Sequence, residues 1–99
     1  MSKIVMITEV PGTTYKEYDA ILSELNNTGK LPAAGCLSHV AFQKDNSWCV
    51  VDVWESKEAC MEFAQNTLFP IFGRLGITPA QPAFFAAHNF IPAGEVMAG

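Results

Sequence analysis

An α+β domain with elements in the order strand, helix, strand, strand, helix, strand is the fold class this sequence predicts. Three observations predict it: short runs rich in β-branched residues, two helix starts marked by capping residues, and a length of 99 residues that admits one domain. The order is that of a ferredoxin-like β-α-β-β-α-β sandwich, an antiparallel sheet with both helices on one face.

Residues Lys3 to Val10 are apolar and β-branched and stop at Pro11-Gly12, a strand ending in a turn. Thr14 followed by Glu17 fits a capping box and starts a helix. Tyr15, Tyr18, Ile21, Leu22 and Leu25 then form one apolar stripe, and Asn27 to Gly29 end it. Gly35 opens a second strand running to about Lys44, and Asp45-Asn46 is the turn into a third, Ser47 to Glu55. Ser56 is placed to cap the second helix, with Ala59, Cys60, Phe63 and Ala64 facing inward. Pro70 is unsuited to a helix interior, which predicts a separate, offset helical turn over Leu68 to Leu75. The last strand is expected from Ala83 to Ile91, and a flexible tail of small residues from about 92 to 99.

Composition narrows the function. Hydrophobic residues make up 49% of the chain and charged ones 16%, against about 25% charged in ordinary domains. So much apolar surface on so short a chain predicts that the sheet face left open by the helices closes on a second copy. A net charge of −4 with no basic cluster argues against nucleic acid and against an anionic membrane surface. The apolar run Ile4 to Ile7 is too short for a signal or a membrane span, so a cytoplasmic protein is expected. Cys36, Cys49 and Cys60 lack the spacing of a metal site or a disulfide framework and read as buried free thiols.

Candidate chemistry comes from the hairpin. A loop of two or four residues at Asp45-Asn46 pairs Gln43 with Trp48, Ala41 with Val50, His39 with Asp52 and Leu37 with Trp54. These side chains then share one face, and Val40, Phe42, Cys49, Val51 and Val53 make the other almost purely apolar. Directly opposed residues have Cβ atoms ~5 Å apart, near enough for the His39 imidazole to bond the Asp52 carboxylate. A histidine oriented in this way beside apolar groups can act as a general base, and the same pair can equally be a satisfied element of a half-buried sheet. Trp54 can stack on a flat ligand or serve as core, and Tyr18 can donate a hydrogen bond into a pocket or simply pack. His88 and Asn89, in the last strand, put one polar residue on each face, and parity does not choose between them.

The stretch from Gly35 to Phe63 resembles the antibiotic-biosynthesis monooxygenase-like proteins. The resemblance is carried by Gly-Cys-Leu-Ser-His-Val-Ala-Phe, and by Asp52-Val53-Trp54 running into Glu55-Ser56-Lys57-Glu58-Ala59. It implies a dimeric α+β barrel, a homodimer with no metal and no organic cofactor, and a pocket between sheet and helices in each subunit. At a position where many members carry a histidine this chain has Phe63, which makes the expected pocket more apolar. The resulting expectation is a homodimer that binds a small apolar or aromatic ligand. Its enzymatic version is a cofactor-independent monooxygenase acting on an aromatic or quinol-type compound, with His39 and Asp52 catalytic and Trp54, Tyr18, Phe63, His88 and Asn89 around the substrate. The alternative is a non-catalytic ligand-binding or structural dimer of the same fold.

Overall fold

The sheet has four antiparallel strands in the order β2-β3-β1-β4, formed by β1 (Ile4–Pro11), β2 (Cys36–Lys44), β3 (Ser47–Trp54) and β4 (Ala83–Ala86). Helices α1 (Tyr15–Thr28), α2 (Lys57–Phe63) and α3 (Phe69–Leu75) complete the computed structural model, which describes residues 2–92. The expected tail beyond Pro92 lies outside the described residues.

Local chemistry accounts for the element starts. The Thr14 hydroxyl accepts from the Lys16 amide while the Glu17 carboxylate accepts from the Thr14 amide, so free amides at the start of α1 are satisfied reciprocally. Gly29 ends that helix with φ 69°, a conformation open to a residue without Cβ. The Ser56 hydroxyl accepts from the Ala59 amide and starts α2.

Sheet parity decides what each face meets. Met6, Asp52 and His39 lie in one cross-strand row, and Trp54 lies on the same face as Asp52. This face carries the core of Met6, Ala33, Trp54 and Cys60, with Phe63 of α2 packed against it. On the opposite face Val40 is 58% exposed, Phe85 55%, Phe42 41% and Ile7 40%. The helices therefore cover the His39 face and leave the apolar one bare.

Three expectations are corrected. A bulge between Cys36 and Ser38 places Cys36, not Leu37, opposite Trp54, because the extra residue uses one step of β2 without advancing the partner. The helical turn expected over Leu68 to Leu75 is present as α3, closed by Gly76, but Pro70 does not detach it from α2. A π turn at Ala64–Leu68 joins α2 to α3, and the Phe69 amide bonds to the Ala64 carbonyl, so the ladder widens just before the residue that has no N–H to give. Finally, β4 ends at Ala86 and does not reach Ile91. It pairs with Ile4 at the very start of β1, and after the bond from the Ala87 amide to the Lys3 carbonyl it has run out of partner. His88 and Asn89 consequently leave the sheet, and both are exposed.

Candidate functional site

Strand pairing brings His39 and Asp52 face to face, as the hairpin spacing predicts. The His39 Nδ1 lies 2.6 Å from Asp52 Oδ1, and the Trp54 indole N–H donates to Asp52 Oδ2 at 3.1 Å. Trp54 is two residues beyond Asp52 on the same strand, so period-two alternation aims both side chains at the helices. From above, α1 lowers Tyr18 onto the pair, with its Oη 2.6 Å from His39 Nε2. The Tyr18 and His39 rings are parallel within 5° at 6.0 Å, and the Trp48 ring closes on Tyr18 at 5.1 Å.

Donor and acceptor capacity orders the protons along this chain. A carboxylate can only accept, so His39 Nδ1 carries a proton and donates it to Asp52. In the neutral ring Nε2 is then an acceptor, and the Tyr18 hydroxyl donates to it. Burial, with the Asp52 and Asp19 charges behind it, pushes the Tyr18 pKa up, which keeps the phenol protonated and able to donate. Indole, carboxylate, imidazole and phenol form one continuous relay. Exposure rises from its inner end: Trp54 is 3% exposed, the Asp52 side chain 9% and the His39 side chain 42%, and Tyr18 above them is half-buried.

Other groups on this side have quieter roles. Burial, reinforced by the nearby Asp52 charge, pushes the thiols of Cys36 and Cys60 up to about 11, so both stay protonated and unreactive at neutral pH. Cys36, Cys49 and Cys60 are all free. The Trp48 indole N–H is buried without a partner, a desolvated donor that costs roughly 1–3 kcal/mol. Among the described residues no cluster of His, Cys, Asp and Glu is arranged to hold a metal ion, and no helix is long and apolar enough to cross a membrane.

The remaining residues singled out in the sequence are dispersed. Trp54 presents no open face: its ring packs on Phe63 at 5.8 Å while its N–H holds Asp52. Phe63 in turn helps to line a concavity of ≈ 550 Å³ between the α1–β2 connection and α2, together with Gly35, Glu55, Ala59, Asn66 and Thr67. A second concavity of ≈ 540 Å³ lies where Leu37 and Ser38 meet Phe90 and Ile91. Neither is lined by His39, Asp52, Tyr18, His88 or Asn89. The relay and the grooves are separate features, and Trp54, which bonds Asp52, packs on Phe63 at the edge of the first. Tyr18 as the cap on His39, Trp48 as its neighbour, and Trp54 as a donor to Asp52 were not readable as partners from spacing. The available signal was that Trp48, Asp52 and Trp54 share parity on β3.

A one-sided antiparallel sheet with this strand order and a histidine–carboxylate pair under its helices defines an α+β protein of the ferredoxin-like class. Twenty-eight solved chains match it, and antibiotic-biosynthesis monooxygenase-like proteins recur among them. SnoaB from Streptomyces nogalater, a cofactor-independent oxygenase, superposes in a mutant form with a TM-score of 0.63 at 17% identity, over 93% of this chain and 99% of that one. A protein from Caulobacter crescentus CB15, provisionally named an antibiotic biosynthesis monooxygenase, gives a TM-score of 0.66 at 13% identity over 89% of this chain and 92% of its own. Rv0793 from Mycobacterium tuberculosis gives 0.63 at 14% identity over 92% and 100%. At these identities the likeness is one of fold. No family model and no curated protein matches the sequence.

Proposed function

We propose that the protein is a cofactor-independent oxygenase of a flat aromatic or quinol-type compound, working as a homodimer. The observation that carries this reading is the His39 imidazole held at 2.6 Å by a buried carboxylate, on the fold that SnoaB, a cofactor-independent oxygenase, also has. Asp52 orients the ring and stabilises the imidazolium formed when it takes a proton, the usual division of labour in a histidine–carboxylate base. Removing a proton from a phenol, hydroquinone or anthrone leaves an electron-rich anion that can reduce dioxygen directly. For an anthrone, the methylene carbon loses two hydrogens and gains one oxygen atom as a carbonyl. The second oxygen atom leaves as water, so substrate and dioxygen balance without another reductant.

The homodimer reading rests on the bare apolar face. Ile7, Val40, Phe42 and Phe85 are each at least 40% exposed there, and a face of this kind is commonly closed by a second sheet about 10 Å away. Such a partner would cover this face and leave the helix side free.

One observation favours a second reading, a non-catalytic ligand-binding dimer: each ring nitrogen of His39 already has a partner. Oxygen uptake with a panel of hydroquinones and anthrones, comparing wild type with His39→Phe, separates the two. Catalysis predicts uptake by wild type and a fall of about 10²–10⁴-fold in the variant, the usual contribution of a general base. Equal rates, or none above background with any compound, would leave the binding reading.

A further inference from the structure

We propose that Tyr18, not His39, is the group that meets the substrate, and that its phenol passes the substrate's proton inward to the histidine. This inference rests on the oxygenase reading and assigns the contact within it. Asp52 occupies Nδ1 of His39 at 2.6 Å, so Nε2 holds the one lone pair left for basic chemistry, and the Tyr18 Oη already sits 2.6 Å from it. A substrate proton cannot reach that lone pair without displacing the hydroxyl or going through it. Displacement is resisted by packing, since the Tyr18 ring lies against both His39 and Trp48 and is carried on a capped helix.

Passage through the hydroxyl needs only one further acceptor site. A phenol oxygen that donates to Nε2 still accepts through its own lone pairs. The substrate's O–H or activated C–H bond breaks as its proton joins the Tyr18 oxygen, and the Tyr18 O–H bond breaks as its proton joins Nε2. The substrate becomes an anion, Tyr18 ends as the neutral phenol it was, and His39 becomes an imidazolium paired with Asp52. Burial and the acidic neighbours raise the Tyr18 pKa, which disfavours a stepwise path through a free phenolate. Tyr15 lies one helical turn earlier on the same face and is 57% exposed. Together with Tyr18 and the half-exposed His39 it offers aromatic surface suited to a flat, acidic aromatic compound rather than an aliphatic one.

The test is steady-state oxygen uptake with whichever anthrone or hydroquinone wild type turns over, for Tyr18→Phe, His39→Phe and the double variant. Tyr18→Phe keeps the ring that packs on Trp48 and loses only the hydroxyl. A relay predicts a kcat lowered about 100-fold or more by either single change, with KM little altered in Tyr18→Phe. The double variant should be no slower than the slower single one, since both changes cut the same path. A Tyr18→Phe enzyme as fast as wild type or faster would mean that the hydroxyl merely blocks Nε2, and would overturn the inference while leaving His39 as the base. Multiplying losses in the double variant would overturn it as well. Absence of turnover by wild type would remove the oxygenase reading and this inference with it.

Discussion

Asp52 is buried and carries two donors, His39 Nδ1 and Trp54 Nε1, one on each oxygen. Removing one donor leaves part of a desolvated carboxylate unmatched, which costs more than the net worth of the bond. Trp54→Phe should therefore lower stability by about 1–3 kcal/mol, read from the urea midpoint at an unchanged m-value, even though the new ring still packs on Phe63. A loss below about 0.5 kcal/mol would mean that the indole bond is not holding the carboxylate. At this scale the sequence was informative where distance along the chain fixes geometry. The His39–Asp52 pairing follows from a two-residue turn and the period of a strand, and it is present in the register. The Tyr18 contact crosses from helix to sheet, and the angle at which α1 docks is set by packing that no local spacing encodes. Trp54 was placed on the right face, and of its two readings, ligand platform and core, the structure shows core, with a bond to Asp52 that spacing did not give.

Elements were legible where they carry their own start and stop chemistry. The capping box at Thr14 and the Ser56 cap are both formed. Errors fell where an element's extent depends on a partner. The length of β4 is set by where β1 begins, and the second helix survives Pro70 because the backbone can widen to a π turn. The cap also has a pH signature. Backbone and side-chain bonds from Thr14 hold the Glu17 carboxyl below its ordinary value of 4.5. A carboxyl lowered on folding stabilises the protein above its unfolded pKa, and that contribution disappears as pH falls through the folded value. Wild type should lose stability between about pH 5 and the lowered folded pKa, and Glu17→Gln, which removes the titrating group, should show a shallower loss over that window in urea midpoints. Parallel pH profiles for the two proteins would contradict a capping role for Glu17.

For the whole molecule, the 49% hydrophobic composition signalled more apolar surface than one small domain can bury, and the bare side of the sheet is where that surplus lies. If a second copy covers it, wild type should sediment as a dimer at micromolar concentration. Val40→Lys, placing a charge at a position 58% exposed in the single chain, should shift the equilibrium to monomer without unfolding it. A wild type that sediments as a monomer would leave the open face unexplained. The relay lies on the opposite, helix-covered side, so its proton arrangement can be examined whether or not the sheet face is covered.

The chain has two histidines, His39 in the relay and the exposed His88, so ¹⁵N-detected imidazole spectra near pH 8 read the relay's proton positions with little assignment work. The relay predicts that His39 is a single tautomer, protonated at Nδ1 toward Asp52 with Nε2 unprotonated, while His88 shows a tautomer mixture. A proton found on Nε2 of neutral His39, or tautomer averaging at His39 like that of His88, would contradict the arrangement on which the proposed chemistry depends.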